Sequence, residues 1–287
     1  MAPDSVKSWM LTSEILRKLP KAELHCHLDG CVRPQTLIEL GKECGVPMPR
    51  RTADELRDYM HVTDAQDLED YLSRFEVTIS VMQTADAIER IAYELCLDAA
   101  RDGIRYIEVR NCPLLNCRAG LSPGAALEAQ IRGLERAERE VGVIGRSIVI
   151  ALRQRSSEVS MELARLAVAY KHRGVVAFDL AGGERGFPAS HHAGAFAYAR
   201  GNDMAVTVHA GEGDGAHSVR EAVHACGAHR IGHATRLIDD PALTQYVNDR
   251  RIGLEICLTS NVHTHAVASY ETHPLRQYFD RGMNVAL

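Results

Sequence analysis

Residues 84–110, TADAIERIAYELCLDAARDGIRYIEVR, place a helical pattern directly before a strand pattern. Apolar residues recur at spacings of three and four between Ile88 and Ala99, the period of one helix face. Thr84 is a suitable N-cap for this helix, which the pattern extends to residue 101. The stretch ends in the apolar run IRYIEVR. We therefore predict a helix followed at once by a buried strand.

The same alternation of strand and helix continues along the chain. Further helical patterns cover 123–141, 158–172 and 216–226. Strict alternation implies parallel strands covered by helices, and eight such units predict an α/β protein with the (β/α)8 TIM-barrel fold. An open doubly wound sheet is the alternative, but no GxGxxG follows the first strand and no GxxxxGK occurs. The predicted strands are 22–28, 104–110, 147–152, 175–180, 205–210, 230–234, 252–258 and 283–287.

Residues 34–82 form a helical insertion between the first two strands that is longer than a simple crossover requires. We expect it to form a lid or side wall over the mouth of the barrel.

Composition restricts the class of partner. The chain has 287 residues, a formal net charge of -5 and a pI near 6.3, so there is no basic excess to neutralise nucleic acid. No apolar run approaches the ~20 residues that cross a bilayer, and no secretory signal is evident. Eight cysteines without a CxxC pair fit a reduced compartment. These features predict a cytoplasmic protein that binds neither nucleic acid nor membrane.

Histidines gather where predicted strands end. His25 and His27 close the first strand, and strand alternation directs both imidazoles to one face. His209 ends the fifth strand, and His233 lies on the sixth. In a barrel these carboxyl ends meet at the face that carries the active site. Four histidines there predict a metal site, with zinc favoured.

Glu212 follows His209 by three residues, in a turn between two glycines. A carboxylate so placed is close to the metal without having to bind it, and it can transfer a proton to a substrate. His263 and His265 share the HxH spacing, but we predict a loop there and no second metal site. We expect five other histidines of helices and loops to be surface or capping residues, namely His191, His192, His217, His224 and His229.

The chain resembles the adenosine deaminase branch of the amidohydrolase superfamily. The motifs follow the order and spacing of that family almost from end to end. HLDG, HAGE and GHA are specific in combination, although each alone would be weak. The matching segments are KAELHCHLDG (21–30), YIEVR (106–110), DLAGGE (179–184), VHAGEG (208–213), RIGHA (230–234) and EICLTSN (255–261).

The resemblance implies one Zn²⁺ per chain, bound by His25, His27 and His209. It also implies that Glu212 protonates the purine ring nitrogen N1 and that His233 acts as the base toward the attacking water.

Two further roles follow from the resemblance. Gly182 offers its backbone to the purine ring, and Asp29 contacts a ribose hydroxyl. The two-metal relatives usually carry a bridging lysine on strand four, which VVAFDL lacks, so one metal is favoured. Asp179 at the end of that strand is expected to be buried support.

The family's fourth protein ligand is an aspartate at the end of strand eight, and this sequence stops at Leu287 inside that strand. We therefore expect residues 1–287 to be a single (β/α)8 metal-dependent hydrolase domain that is C-terminally incomplete. Leu258 stands where many relatives have proline.

Four functions remain open on the sequence. The first is zinc-dependent hydrolytic deamination of adenosine, a purine nucleoside, to inosine and ammonia. The second is deamination of adenine or of a modified adenine nucleoside. The third, a metal-dependent phosphoesterase, is disfavoured by HAGE and by the acidic net charge. The fourth is a non-catalytic barrel that binds zinc and a nucleoside. The oligomeric state is not predicted.

Overall fold

The computed structural model describes residues 12–62 and 68–287. The described residues form one eight-stranded sheet in which every neighbouring pair is parallel and the strand order follows the chain order. This order confirms the (β/α)8 barrel, here nearly closed, and excludes the doubly wound alternative. The strands are β1 (Lys21–His27), β2 (Ile104–Asn111), β3 (Ile144–Leu152), β4 (Val175–Ala181), β5 (Ala205–Ala210), β6 (Arg230–His233), β7 (Gly253–Glu255) and β8 (Val285–Ala286).

Helices lie between these strands, as the hydrophobic periodicity predicts. In chain order they are α1 (Ser13–Lys18), α2 (Pro34–Cys44), α3 (Ala53–Met60), α4 (Leu68–Ser73), α5 (Phe75–Val81), α6 (Ala85–Arg101), α7 (Pro123–Val141), α8 (Ser157–Ala169), α9 (Ala193–Gly201), α10 (Ala216–His224), α11 (Pro241–Asp249), α12 (Leu258–His263) and α13 (Leu275–Asp280). None of the described helices is long and apolar enough to cross a membrane.

Local capping chemistry sets several helix starts. The Thr84 hydroxyl accepts a hydrogen bond from the Ala87 amide and begins α6, as predicted. Asp240 does the same for α11 through the Leu243 amide. The face of α6 with three- and four-residue spacing is buried against α7 and the barrel wall. Burial of that stripe holds the helix against the sheet.

The insertion after β1 contains α2 to α5, apart from residues 63–67, which lie outside the described part of the chain. Its last two helices reach the mouth of the barrel. Tyr71, Leu72, Phe75 and Ile79 line a cavity there. The insertion therefore forms a side wall of the mouth, in agreement with the sequence.

The prediction for strand seven was too long. The sheet holds only Gly253–Glu255, and Leu258 begins α12 instead of ending a strand. The Asn261 amide donates to the Cys257 carbonyl at 2.8 Å, so the chain turns into a helix as soon as it leaves the sheet. His263 therefore ends a helix and does not lie in a loop as predicted.

His192 also differs from its prediction as a surface or capping residue. It is buried, and Ser160 Oγ lies 2.8 Å from its Nδ1 while the Arg153 carbonyl lies 3.2 Å from its Nε2. Both ring nitrogens are therefore bonded between α8 and the loop after β3. His192 is a core histidine that ties these elements together.

Candidate metal centre and active site

Three imidazoles meet at the carboxyl end of the barrel. Nε2 of His27 and Nε2 of His209 lie 3.0 Å apart. The ring centroids of His25 and His209 are separated by 4.6 Å, and those of His25 and His27 by 5.3 Å. One nitrogen from each of the three rings lies within 4.8 Å of the others. The strand ends therefore bring together the three ligands that the sequence predicts.

Two of these rings are oriented by buried carboxylates. Nδ1 of His25 lies 2.9 Å from Glu255 Oε2, and Nδ1 of His209 lies 3.2 Å from Asp179 Oδ1. A carboxylate at Nδ1 holds the hydrogen there and leaves the Nε2 lone pair free, as in histidines that bind metals. Nε2 of His25 is buried and has no hydrogen-bond partner in the described part of the structure. This orphaned nitrogen fits a cation, which would satisfy it.

Burial also keeps these rings neutral. It is the largest cause that holds the pKa of His25, His27 and His209 well below the usual range. The positive charge of Arg110 lowers all three pKa values further. Metal binding requires neutral imidazole, so the cluster is ready to bind a cation at neutral pH.

A buried arginine connects the two orienting carboxylates. Arg110 has no exposed surface; its Nη1 donates to Asp179 Oδ2 at 2.8 Å, and its Nη2 donates to Glu255 Oε2 at 2.7 Å. Burial lowers the pKa of Arg110, but Glu255 and Asp179 raise it above its ordinary value overall. Arg230 Nε adds a contact of 2.8 Å to Glu255. The histidine cluster therefore rests on a paired charge network inside the barrel.

His233 and Glu212 face each other beside the three imidazoles. His233 Nε2 lies 3.3 Å from Glu212 Oε2, and Thr264 Oγ1 donates to Glu212 Oε1 at 3.3 Å. Asn261 Nδ2 donates to His233 Nδ1 at 2.8 Å. His233 has a positive φ of 66°, which is uncommon for a residue with a side chain. The strained end of β6 and the Asn261 contact thus direct Nε2 toward the carboxylate.

The turn that carries Glu212 is held by Glu184. Its two carboxylate oxygens accept the amides of Gly211, Glu212 and Gly213 at 3.0, 2.9 and 3.3 Å. Three amide donors on one carboxylate fix the turn that follows β5. Glu184 belongs to the DLAGGE motif, but its role was missed because the sequence does not show which backbone it meets.

These groups line a cavity of about 410 Å³. That volume lies within the range of small-molecule sites. Predicted residues His25, His27, Asp29, Gly182, His209, Glu212 and His233 all border it. Asp29 is buried, its Oδ1 has no hydrogen-bond partner among the described residues, and burial raises its pKa to about 6. Gly182 has φ +100°, and a Cβ there would lie 2.4 Å from Gln154 Oε1.

Cys257 is a cavity residue that the sequence analysis did not single out. Its sulfur lies within 4.8 Å of a ring nitrogen of both His25 and His233. His263 and His265 belong to neither group of possible ligands found among the described residues. Helix α12 carries His263 away from the histidine cluster, whereas the short β7 brings Cys257 to it.

Solved structures with the same fold place the chain in a class. It aligns with the adenine deaminase of Arthrobacter aurescens at a TM-score of 0.85 and 26% identity, over 92% of this chain and 80% of that one. It aligns equally well, at 0.85 and 26%, with a zinc-bound amidohydrolase of Burkholderia ambifaria, over 99% and 79%. The N6-methyl-AMP deaminase of Arabidopsis thaliana gives 0.82 and 28%, over 96% and 82%. Fold and site define a hydrolytic deaminase of the amidohydrolase superfamily, acting on C–N bonds.

Sequence comparison gives the family. The family model described as "Adenosine deaminase" matches residues 20–287. A probable adenosine deaminase of Dictyostelium discoideum is 41% identical over 96% of this chain, which spans only 36% of that protein. The adenosine deaminase of Mycolicibacterium gilvum is 40% identical over 94% of this chain and 78% of its own length. The chain belongs to the adenosine deaminase family, which is zinc-dependent.

Proposed function

We propose that this chain catalyses the hydrolytic deamination of adenosine to inosine and ammonia. The observation that carries the proposal is the contact between His233 and Glu212 beside three convergent imidazoles. His25, His27 and His209 would hold one zinc. When bound there, zinc supplies Lewis acidity and lowers the pKa of water toward ~7, so that a nucleophile is available at neutral pH.

The side chains around the metal would divide the proton transfers. Glu212 lies in the cavity and is fixed by Thr264 and by the turn that Glu184 holds. From there its carboxyl group gives a proton to N1 of the purine, which makes the adjacent carbon electrophilic. His233 is the proposed base. Because its Nδ1 accepts the Asn261 amide, its Nε2 carries the ring hydrogen, gives that hydrogen to Glu212 and then takes up the proton that the attacking water loses. Loss of ammonia then restores the aromatic ring as the hydroxypurine.

Asp29 and Gly182 would bind the substrate. The unpartnered Oδ1 of Asp29 requires a donor, and a ribose hydroxyl supplies one. A side chain at residue 182 would clash with Gln154, and Gly182 avoids this clash. The backbone of Gly182 is therefore accessible to the flat purine. The apolar residues Phe75, Leu115 and Leu152 complete the wall. The need for a hydroxyl donor favours a nucleoside over free adenine.

Charge in the cavity argues against a nucleotide. The described lining residues include Glu23, Asp29 and Glu212, and none of them is lysine or arginine. A phosphate group bound against this wall would have no lysine or arginine to neutralise its charge, so its desolvation would be costly. The preferred substrate is therefore the nucleoside, although a similar fold acts on a methylated nucleotide in the Arabidopsis enzyme.

Deamination of adenine is the second candidate, because a solved structure of similar fold is an adenine deaminase. The same metal and proton-transfer groups would serve either base. Adenine lacks the ribose, so it brings no hydroxyl group to Asp29.

Replacement of Glu212 tests the chemistry. Glu212→Gln keeps the shape of the side chain but removes its proton. We expect turnover to fall by about 10²–10⁴-fold, while zinc content, measured by atomic absorption, stays at one per chain. Glu162→Gln on α8, remote from the cavity, is the matched control. Full activity in Glu212→Gln would exclude the proposed proton transfer.

A further inference from the structure

Two cysteines meet in the turn that follows the first metal-binding strand. Cys26 Sγ and Cys31 Sγ lie 3.4 Å apart, and both side chains are half-buried and border the cavity. The chain between them is a tight turn in which Gly30 and Cys31 donate backbone hydrogen bonds to His27 and Leu28, each at 3.2 Å. The turn therefore holds two thiols in contact at a site that small molecules can reach.

We propose that Cys26 and Cys31 are an oxidisable dithiol, and that their closure to a disulfide weakens the zinc site. The oxidant is a peroxide or a small-molecule disulfide that enters the cavity. Neither cysteine takes part in the proposed deamination. The link to zinc rests on His25 and His27 as ligands, whereas the thiol chemistry is independent of the reaction catalysed.

The reaction with hydrogen peroxide is balanced as follows. One sulfur attacks the O–O bond, forms a sulfenic acid and releases the other oxygen, which leaves as water with the thiol proton. The second thiol attacks the sulfenic sulfur, the S–S bond forms and the S–O bond breaks, and a second water leaves. Two thiols are oxidised by two electrons and one peroxide is reduced. Either sulfur can attack first, because the two thiols are in contact and the other one then resolves the sulfenic acid.

We infer that part of the closing movement falls on the strand that carries the ligands. The sulfurs must approach from 3.4 Å to about 2.05 Å. Cys26 stands between His25 and His27, and the pairing of β1 with β2 is irregular between Glu23 and Cys26. Ligand distances in metal sites are defined to about 0.2 Å. A shift of a few tenths of an ångström at Cys26 is therefore enough to disturb both neighbouring imidazoles.

Among the described hydrogen bonds, no other cysteine contacts a second thiol. Cys117, Cys226 and Cys257 donate to backbone carbonyls, and Cys44 is exposed. Cys44 therefore serves as an internal standard for general oxidation.

Peptide mass spectrometry tests the dithiol directly. Trypsin cuts after Lys21 and Lys42 but not between Arg33 and Pro34, so peptide 22–42 contains Cys26 and Cys31 and no other cysteine. The zinc-loaded protein is treated with hydrogen peroxide or oxidised glutathione, alkylated and digested. We expect the peptide to lose two hydrogens and to escape alkylation, and a thiol reductant to reverse this. If both thiols are alkylated under conditions that oxidise Cys44, the proposal is wrong.

A chelator competition tests the link to zinc. We expect the oxidised protein to bind zinc about tenfold more weakly, in the range seen when groups that support metal ligands are perturbed. Cys31→Ser and Cys31→Ala should abolish the effect of the oxidant, and Cys44→Ser should retain it. Unchanged zinc affinity in a protein whose peptide 22–42 is fully oxidised would refute the coupling. Neither readout uses turnover, so failure here is distinct from failure of the proposed deamination.

Discussion

Gly232 lies against the imidazole of His25, and a Cβ at residue 232 would be 2.8 Å from Cε1 of that ring and 3.3 Å from Nδ1. The glycine of RIGHA on β6 is thus required by a side chain of β1, which is not an adjacent strand, and not by its own backbone. It leaves room for the ring that Glu255 orients through Nδ1. The metal ligand is therefore positioned by a steric limit as well as by a hydrogen bond.

Gly232→Ala should displace the His25 ring. Insertion of a methyl group into a packed core costs about 1–3 kcal/mol, and here the movement falls on a ligand. We expect reduced zinc affinity by chelator competition and a lower unfolding midpoint in urea. Gly201→Ala is the control, because that glycine ends helix α9 and has nothing within 4 Å of its added Cβ. Equal zinc affinity in the two variants would contradict the packing argument.

Arg110→Met should be strongly destabilising. It leaves the carboxylates of Asp179 and Glu255 buried without the cation that pairs with both. Removal of one partner from a buried ion network costs about 3–5 kcal/mol, measurable by urea denaturation. Because the same carboxylates orient His209 and His25, zinc affinity should fall as well. Arg276→Met breaks an exposed pair with Asp280 and should change neither quantity.

A result in which Arg110→Met unfolds like the control would show that the charge network does not support the barrel. Retained stability with lost zinc would instead confine its role to orientation of the ligands.

The barrel could be predicted from sequence because each βα unit has a local sequence pattern of its own. The periodicity of α6, its Thr84 cap and the following apolar strand need no distant information. The short β7 was missed because the pattern IGLEICL continues beyond the point where the Cys257 carbonyl accepts the Asn261 amide. The first helical hydrogen bond of α12 sets that boundary, and the apolar pattern of the strand does not reveal it.

The candidate site was predicted in part for a similar reason. His25, His27, His209 and His233 lie at strand ends, and the ends of parallel strands converge. Arg110, Glu184 and Glu255 support these residues, yet their partners are separated by up to 230 positions along the chain. Arg110 ends YIEVR, a segment that resembles the family, but that resemblance did not show which carboxylates Arg110 meets.

Asp29→Ala should remove one hydroxyl contact of the ribose. A hydrogen bond to a charged group contributes about 1.5–3 kcal/mol, so kcat/KM for adenosine should fall roughly 10- to 100-fold. The 2′-, 3′- and 5′-deoxyadenosines identify the contact. In the unmodified protein, kcat/KM should fall when one particular hydroxyl is removed. In the variant, removal of the same hydroxyl should leave kcat/KM unchanged. If the variant and the unmodified protein show the same order of kcat/KM for the deoxyadenosines, Asp29 does not contact the ribose.

The most direct test of the account is ammonia release by the purified, zinc-loaded protein from adenosine, adenine and AMP. The buried carboxyl of Asp29 and the described cavity wall without lysine or arginine predict the highest kcat/KM with adenosine and the lowest with AMP. Removal of zinc by a chelator should stop release, and added zinc should restore it. Preference for adenine or AMP would contradict the assigned substrate, and no release from any of the three would contradict the proposed function itself.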